Sequence, residues 1–563
     1  MQVRERVEEV GMKLPIVVAA IVSGIALATV GAQDSGVPRE VQTALESFSK
    51  AALRAHMRFL ADDLLEGRGT GTRGHELAAK YVATEFEAAG LEPAGVNGSY
   101  LQPVPLREIQ VEPEACEFTI VQSGDSKTMK WGVDYVARGN EVNPDSTVEA
   151  PVVFVGFGVV NRGRKYDDYA GLDVKGKIVA AMFGAPATFP SEERAHFASG
   201  IEKAREAAAH GAAGFLSLRT PETEALLPWS RSVIGSEMPA FRWLDPQGAP
   251  NDSFKEIRGT ATLSIEGAER LFAAMPETWS VAQKDATEGR LHGFALPVSV
   301  RLHVVSKHRE ISSPNVAGVL RGSDASLAGE YVVYTAHTDH LGIGRALNGD
   351  AIYNGAVDDA SGTSALIEMA KAFVSLPKRP PRSILFLAVT AEEKGLLGSD
   401  YFAHYPTVPA GSLVADVNMD GASVFYTFKD VVPLGAEHTT MGEVVERDAG
   451  KLGLQVSPDP MPEQVSFIRA DHYSFVKQGI PAITIGEGLQ AKDPKIDGRK
   501  FVENWIATRY HAPSDDMDQP LNFDATVQFM KISFLVGYDL AQERRRPSWK
   551  AGDFFGELYG RKN

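Results

Sequence analysis

The chain has 563 residues, of which 44% are hydrophobic and 23% charged. That composition is ordinary for a globular protein, and the length is too great for a single hydrophobic core, so two or three domains are expected. The net charge of −16 and the lack of a basic cluster argue against nucleic acid as a partner, because phosphates are bound by clustered Lys and Arg.

An apolar run near the N-terminus predicts a secretory signal peptide. Residues 14–30 are apolar, Lys13 precedes them, and small residues fit a cleavage site after Ala32. We therefore expect residues 1–32 to be removed and the mature protein to be periplasmic or secreted, with no stable membrane insertion. The alternative is an uncleaved membrane anchor, for which the run is short. The single cysteine, Cys116, excludes an intramolecular disulfide, which favours a bacterial exported protein.

Residues 33–147 are expected to form the first part of a main domain. Apolar residues at helical spacing predict helices over residues 41–59 and 76–89, and Gly90 fits the end of the second helix. The glycine-rich stretch 66–74 lies between them. It lacks the Gly-Lys-Ser/Thr of a phosphate-binding loop, so we interpret it as a turn or a loop on the substrate side.

Residues 148–300 differ in character and predict an inserted, β-rich domain. Short apolar runs at 152–156, 178–182 and 214–218 predict strands around a helix over residues 199–210. The histidines of this segment are isolated from one another in sequence. We therefore expect the insert to be noncatalytic.

Residues 301–545 alternate between apolar runs and amphipathic stretches. Strands are predicted at 331–336, 384–390, 413–419 and 482–486, and a helix at 363–376. This alternation predicts an α/β domain whose mostly parallel, mixed sheet is covered by helices on both faces. Residues 546–563 are polar and basic and are expected to form a solvated tail.

Five short motifs supply oxygen and imidazole ligands, the donors that zinc prefers when no thiol is present. They are His337-Thr-Asp339, Asp358-Asp359, Glu392-Glu393, Asp420 in Asn-Met-Asp-Gly, and His511 in Tyr-His-Ala-Pro-Ser-Asp. Three of them directly follow predicted buried strands. Since ligands bind at the carboxyl ends of parallel strands, the motifs predict one shared metal site at that edge of the sheet.

The ligand inventory fits a hydrolytic pair of metal ions. Such a site needs a bridging carboxylate, one further carboxylate and one imidazole for each ion, and a free carboxylate as general base. One residue of Asp358-Asp359 can bridge, and one residue of Glu392-Glu393 can be the base while the other binds metal. His340 and His472 are weaker candidate ligands.

In their order and spacing these motifs resemble the co-catalytic zinc aminopeptidase family, which includes bacterial leucyl aminopeptidases. The stretch 60–71 is similar to the opening of its secreted bacterial members. The stretches 166–172 and 175–179 resemble the protease-associated domain often inserted in them. The resemblance implies the zinc exopeptidase type of α/β fold.

The resemblance also implies a role for each residue and a requirement for two zinc ions. His337 and Asp420 would bind the first zinc, Glu393 and His511 the second, and Asp358 would bridge them, with Asp359 as support. Glu392 would be the general base, Asp339 would position the site, and Tyr510 would stabilise the oxyanion.

The sequence therefore predicts an exported zinc exopeptidase, an aminopeptidase acting on peptide substrates. A zinc carboxypeptidase is a disfavoured alternative, because no local motif matches the arginine-rich pocket of the glutamate carboxypeptidases. A glutaminyl cyclase-like transferase is a second alternative, although that chemistry typically needs only one zinc. A noncatalytic binding protein is disfavoured by the complete set of ligands and base.

Overall fold

A computed structural model of the chain describes residues 36–226 and 228–561. The predicted signal peptide, residues 1–32, lies outside these residues. Among the helices of the described part, none is long and apolar enough to cross a membrane.

Three helices and two strands open the described chain. They are α1 (Arg39–Glu46), α2 (Lys50–Leu60), α3 (Arg73–Ala89), β1 (Glu92–Pro93) and β2 (Leu101–Val111). The single helix predicted over residues 41–59 is wrong, since two helices form there. Ser49 ends the break by capping α2, because its side chain accepts a hydrogen bond from the backbone N–H of Ala52. Gly90 ends α3 in the left-handed conformation, as predicted.

The middle of the chain is rich in short strands. Its elements are β3 (Glu117–Gln122), β4 (Asp125–Thr128), β5 (Tyr135–Arg138), β6 (Asp145–Phe154), β7 (Val160–Asn161), β8 (Tyr166–Asp167), β9 (Ile178–Met182), α4 (Ser191–Ala198), α5 (Gly200–Ala209), β10 (Gly214–Leu218), α6 (Pro221–Leu226), α7 (Trp229–Glu237), β11 (Ala240–Trp243), β12 (Thr260–Leu263), α8 (Ile265–Leu271) and α9 (Pro276–Glu288).

The last part alternates strands and helices. Its elements are β13 (Phe294–Leu320), β14 (Tyr331–His337), β15 (Gly342–Leu347), β16 (Asp350–Tyr353), α10 (Gly362–Val374), β17 (Ser383–Val389), α11 (Leu397–His404), β18 (Leu413–Asn418), β19 (Asp430–Leu434), α12 (Met441–Lys451), β20 (Gln455–Val456), α13 (His472–Lys477), β21 (Ala482–Glu487), α14 (Gly498–Thr508), α15 (Phe523–Gln542) and α16 (Phe554–Tyr559).

The main sheet has the strand order β11-β2-β13-β17-β14-β18-β21-β19-β20. Its four central strands, β17, β14, β18 and β21, run parallel, and antiparallel strands flank them. His337 of β14 lies level with Val389 of β17, and Thr335 lies level with Asn418 of β18. The carboxyl ends of these three strands therefore meet. The predicted mostly parallel, mixed sheet is confirmed.

Helices cover both faces of the main sheet, because alternate strand residues point to opposite sides. On one face Val332 and Tyr334 pack in a core with residues of α10 and α15. On the other face Tyr331 and Val333 pack with residues of α11, α13 and α16. Both faces of the central strands are thus buried from solvent, which explains their nearly continuous apolar sequence.

A second sheet has the order β4-β3-β13-β6-β9-β10-β12-β5. The long strand β13 belongs to both sheets, pairing with β6 over residues 294–305 and with β2 over residues 306–316. The second sheet takes in β3 to β5, upstream of the predicted 148–300 insert, whereas β11 within that range pairs with β2 of the main sheet. The two sheets are therefore one continuous framework.

The C-terminal segment 546–563 packs against the main domain instead of forming the expected solvated tail. Phe555 of α16 is fully buried in the core on the α13 side of the main sheet. Trp549 donates a hydrogen bond from its indole N–H to the carbonyl of Gly479. Polar residues outnumber the aromatic ones in this segment. The aromatic residues nevertheless hold it against the main domain, because they bury a large apolar area.

Candidate metal centre

One imidazole and three carboxylates follow the ends of the central parallel strands. His337 is the last residue of β14, Glu392 and Glu393 follow β17 after a short turn, and Asp420 comes just after β18. Because these ends meet in the sheet, the side chains converge on one point, as the motifs predict.

Asp358 reaches the same point from the irregular turn Ala356–Ser361, which leads into α10. Its peptide bond to Asp359 is cis. The carboxylate of Asp515 accepts hydrogen bonds from the backbone N–H groups of Val357, at 3.0 Å, and Asp358, at 3.1 Å. The turn is therefore held by a residue from the far end of the main domain.

Asp359 acts as a structural acceptor next to the site. It is fully buried, and its carboxylate accepts hydrogen bonds from the backbone N–H groups of His337 at 3.2 Å, Gly362 at 2.8 Å and Gly421 at 3.0 Å. The side chain thus ties together the three segments that carry His337, Asp358 and the loop of Asp420.

The first metal-binding group consists of His337, Asp358 and Asp420. The Nε2 atom of His337 lies 3.1 Å from Asp358 Oδ1 and 3.5 Å from Asp420 Oδ1. Its Nδ1 donates to the backbone carbonyl of Asp339 at 3.0 Å, which fixes the ring and aims Nε2 at the carboxylates. Nε2 is buried and makes no hydrogen bond within the described residues. A cation fits between these three donors.

The second group shares Asp358 and adds Glu393 and His511. The Nε2 atom of His511 lies 3.2 Å from Asp358 Oδ2 and 3.3 Å from Glu393 Oε2. His340 also lies here, with Nδ1 2.7 Å from Glu393 Oε1, and the geometry allows it to complete a metal-binding group with Asp358 and Glu393. The two oxygens of Asp358 therefore face two different imidazoles, as a bridging carboxylate requires.

The pKa shifts of these side chains show that the site favours positive charge. Burial raises the pKa of Asp358, but contacts with His337 and His511 hold it well below its usual range. Burial also raises the pKa of Glu393, but the charge of His511 contributes to lowering it to about 2. Burial lowers the pKa of His337, but the carboxylates of Glu392 and Asp358 raise it well above its usual range. Without metal, protonated imidazoles neutralise these carboxylates, and bound cations would take over that role.

Glu392 lies beside the two groups without belonging to either. Its Oε2 is 3.9 Å from His337 Nε2, and its backbone N–H donates to Asp339 Oδ1 at 3.0 Å. Thr70 of the glycine-rich stretch donates to the other oxygen of Asp339 at 2.9 Å. Burial raises the pKa of Glu392 well above its usual range, and the charge of Glu393 adds to this. Asp339 therefore positions Glu392 through the backbone.

Tyr510 covers the second imidazole. Its ring stacks on that of His511 with 3.8 Å between the centroids. Arg469 donates a hydrogen bond from Nη2 to the Tyr510 hydroxyl at 2.9 Å. The hydroxyl hydrogen of Tyr510 stays available for a bound ligand, because the oxygen is the acceptor in that contact.

Every predicted site residue lies at this centre, together with the weaker candidate His340 and two residues that were not predicted, Asp515 and Arg469. Asp515 belongs to an acidic run that resembled a solvated loop, Arg469 has no local motif, and His340 was only a weaker candidate. His472, the other weak candidate, is buried against Phe467 and lies outside both metal-binding groups. Only His340, next to the His337 motif, carried a signal that sequence reasoning could use.

The fold and the site together define an α/β hydrolase centre whose clustered imidazoles and carboxylates could hold metal. Comparison with known proteins agrees. Residues 315–536 match the model of peptidase family M28. The resemblance predicted from the motifs is therefore confirmed for this part of the chain.

Individual relatives cover more of the chain. A probable glutamate carboxypeptidase of Arabidopsis thaliana is 25% identical over 476 residues, which is 79% of this chain and 62% of the relative. The aminopeptidase YwaD of Bacillus subtilis is 23% identical over 497 residues, 84% of this chain and 88% of the relative. The chain thus spans less than two thirds of the plant relative's length.

A solved structure supports the fold over almost the whole chain. The aminopeptidase from Aneurinibacillus sp. strain AM-1 superposes with a TM-score of 0.52 at 17% identity, covering 93% of this chain and all of that one. The likeness therefore extends beyond residues 315–536 to the framework that includes the second sheet.

Proposed function

We propose that the protein is an exported aminopeptidase that holds two zinc ions and removes N-terminal residues from peptides. The observation that carries the proposal is the position of Asp358 between two imidazoles. Its Oδ1 lies 3.1 Å from His337 Nε2, and its Oδ2 lies 3.2 Å from His511 Nε2. One carboxylate shared by two imidazoles suits two neighbouring ions better than one.

His337 and Asp420 would hold the first zinc, Glu393 and His511 the second, and Asp358 both. The donor set of two imidazoles and three carboxylates suits zinc, and the chain's single cysteine is not part of it. Bound zinc would polarise the scissile carbonyl and bring the pKa of a water molecule down to about 7. All other steps fall to residues of the chain.

Glu392 would act as the general base. It is free of both metal-binding groups, its backbone is held by Asp339, and burial raises the pKa of its carboxyl. A raised pKa suits a group that accepts a proton near neutral pH and releases it again. Glu392 would take a proton from the attacking water and pass it to the nitrogen of the leaving peptide.

Tyr510 would stabilise the negative charge that develops on the scissile carbonyl oxygen. Its hydroxyl oxygen already accepts a hydrogen bond from Arg469, so its own hydrogen can point at the substrate. A charged donor behind the hydroxyl makes that hydrogen a better donor, because hydrogen bonds in a chain polarise one another.

Among exopeptidases, an aminopeptidase is supported by the match with the aminopeptidase YwaD, which extends over 84% of the chain. The plant relative named as a probable glutamate carboxypeptidase supports the alternative, over 79% of the chain. Neither of these two relatives is named as a cyclase, so they do not support a glutaminyl cyclase-like transferase. The two hydrolases differ in the end of the peptide that they attack.

The test is hydrolysis of aminoacyl-nitroanilides beside N-blocked peptides, with and without a chelator. Cleavage of free-amine substrates alone, lost on chelation and restored by zinc, is the expected result. Release of C-terminal residues from blocked peptides would move the assignment to a carboxypeptidase. Cyclisation of an N-terminal glutamine without hydrolysis would move it to a cyclase.

Export and the identity of the insert belong to the same proposal. The apolar run 14–30 supports a signal peptide, and the stretches 166–172 and 175–179 support a protease-associated domain. N-terminal sequencing of the protein recovered from the periplasm or medium should give a chain that starts close to residue 33. Recovery of the intact N-terminus in a membrane fraction would contradict the signal peptide.

A further inference from the structure

Arg469 brings a positive charge to the His511 side of the metal centre. Its Nη2 donates to the Tyr510 hydroxyl at 2.9 Å, and its guanidinium carbon lies 5.8 Å from the centre of the Tyr510 ring. Tyr510 in turn stacks on His511. The guanidinium is therefore one aromatic ring away from the residues that would hold the second metal ion.

The charge of Arg469 has no carboxylate partner of its own. Within residues 36–226 and 228–561, no carboxylate oxygen lies within ion-pair distance of its guanidinium, and the residue is exposed. By contrast Lys477, on the nearby α13, pairs with Asp400 at 2.9 Å. At longer range, the negative charges of Glu392, Asp358 and Glu393 act on Arg469.

Those carboxylates already have proposed roles in the metal centre. Asp358 and Glu393 belong to the metal-binding groups, and Glu392 is the proposed base. Arg469 therefore brings a positive charge to the proposed site without being paired to any of the three. The guanidinium is charged at every physiological pH and fits a carboxylate through two parallel hydrogen bonds, so an anionic group of a bound ligand can pair with it.

Arg469 also has hydrogen-bonding capacity left over. A guanidinium carries five N–H donors. Within the described residues it makes two hydrogen bonds, to the Tyr510 hydroxyl and, at 3.4 Å, to the carbonyl of Gln464. The remaining donors are enough for a paired contact with a carboxylate, which matches the planar fork of arginine.

We propose that Arg469 binds a carboxylate of the substrate, so that the enzyme prefers peptides with a carboxylate close to the scissile bond. The inference rests on the proposed peptidase function. If Tyr510 contacts the oxyanion, the oxyanion and the guanidinium are each one hydrogen bond from the same hydroxyl, hence within about 6 Å of each other. The next residue of a peptide lies about 3.8 Å further along the chain.

Two substrate groups could supply this carboxylate. One is the C-terminal carboxylate of a dipeptide, and the other is an acidic side chain in the residue after the scissile bond. Leucyl-glycine, leucyl-glycinamide and leucyl-aspartamide separate these cases. The first carries only a main-chain carboxylate, the second carries none, and the third carries only a side-chain carboxylate.

The experiment measures kcat and KM for the three substrates with the zinc-loaded wild type and with Arg469→Gln, Arg469→Lys and Arg231→Gln. Arg231 is the matched control, an exposed arginine of α7 that likewise makes no ion pair within the described residues. For wild type, kcat/KM is expected to be about 10- to 100-fold higher for one carboxylate substrate than for the amide. Arg469→Gln should remove that preference through KM, Arg469→Lys should keep part of it, and Arg231→Gln should keep all of it.

Two results would overturn the inference. Equal kcat/KM for all three substrates in wild type is one. The other is a uniform loss of kcat on all substrates in Arg469→Gln, which would make Arg469 only a positioning residue for Tyr510.

A binding measurement separates this inference from the proposed function. Calorimetry with zinc-loaded Glu392→Gln measures the affinity for leucyl-glycine, leucyl-aspartamide and the amide without hydrolysis. Tighter binding of a carboxylate ligand, lost on adding Arg469→Gln, supports the inference even if the wild type cleaves none of the three. Equal binding of all ligands contradicts it even if the wild type is an active aminopeptidase.

Discussion

Asp515 accepts a hydrogen bond at 3.1 Å from the backbone N–H of Asp358, the residue that lies between the two imidazoles. It also accepts one from Val357, and Gln519 donates to its Oδ1 at 2.5 Å. The position of the bridging carboxylate thus depends on a side chain from the opposite end of the main domain. Groups that hold a metal ligand in place typically contribute 10- to 100-fold to metal affinity, roughly.

Asp515→Asn should therefore weaken zinc binding by about 10- to 100-fold, because an amide can accept only one of these contacts well. The measurement is competition with a chromogenic chelator at fixed free zinc. Asp516→Asn is the matched control, since Asp516 is adjacent and, among residues 36–226 and 228–561, its carboxylate accepts a hydrogen bond only from the loop residue Asp518. Equal affinity of Asp515→Asn and wild type would show that the turn keeps its shape without this carboxylate.

Glu392→Gln should keep both zinc ions and lose activity by about 10²- to 10⁴-fold, the usual contribution of a general base. Glutamine has the same shape but cannot accept the proton. Elemental analysis and hydrolysis of a leucyl-nitroanilide are measured on the same preparation. The neighbouring Glu393→Gln serves as comparison, because it should lose metal as well as activity. Full activity of Glu392→Gln would rule out its role as base.

The two histidines near Glu393 should differ in what they do to the second zinc. His511→Ala removes a proposed ligand and should lower the zinc content at saturating metal from about two towards one per chain. His340→Ala should keep two ions at saturation but bind the second more weakly, because His340 lies 2.7 Å from Glu393 and can orient it. Loss of one zinc in His340→Ala together with full occupancy in His511→Ala would exchange the two assignments.

Some of the proposed metal ligands could be predicted because they lie close in sequence to the strands that position them. His337 ends a buried apolar strand, and Asp420 directly follows another. Periodicity alone therefore placed them at one edge of the sheet. The four central parallel strands were predicted to within a residue or two for the same reason, since strands buried on both faces are continuous apolar runs.

The supporting residues could not be predicted, because their partners are far away in the chain. Asp515 holds a turn more than a hundred residues upstream, and its acidic run is typical of a solvated loop. Arg68, fully buried, donates to the backbone carbonyls of Leu60, Asn354 and Gly355 and so fixes the glycine-rich stretch beneath the site. Such contacts form between residues that are far apart in the chain, so short sequence motifs do not predict them.

The segment 148–300, predicted as an insert from its composition, shares its sheets with other parts of the chain. β13 runs through both sheets, and β11 leaves the insert to pair with β2. A compositional change marks where a second core begins, but it does not show that one strand can serve two sheets. The isolated histidines and acids of the insert likewise gave no sign that Glu192 contacts His438 of the main domain.

His438 joins the segment that carries α4 to the C-terminal end of the chain. Its Nε2 contacts the carboxylate of Glu192 on α4, and its Nδ1 lies 2.5 Å from Asp553 Oδ2 near the C-terminus. Burial lowers the pKa of His438, but the carboxylates of Asp553 and Glu192 raise it to about 10. Burial, followed by the charge of Glu192, raises the pKa of the neighbouring Glu437 to about 7. Both groups therefore hold protons more tightly in the folded protein than in the unfolded chain.

A protein that binds more protons when folded loses stability as the pH rises. The contribution of His438 should be complete below about pH 6.5, the ordinary histidine pKa, and should be lost as the pH rises through about 10. The effect of Glu437 has the same sign between its ordinary pKa, about 4.5, and about 7. The free energy of unfolding of the wild type should thus fall across this range.

His438→Gln should lower the free energy of unfolding near pH 6 by about 3 kcal/mol, because it leaves the buried Glu192 carboxylate without its cation. The difference from wild type should shrink as the pH approaches 10, where wild-type His438 is itself losing its proton. Urea unfolding between pH 6 and 10 measures both effects, with His292→Gln, an exposed histidine of the insert, as control. A difference between His438→Gln and wild type that stays constant across this range would show that the imidazole packs at the interface without carrying a charge.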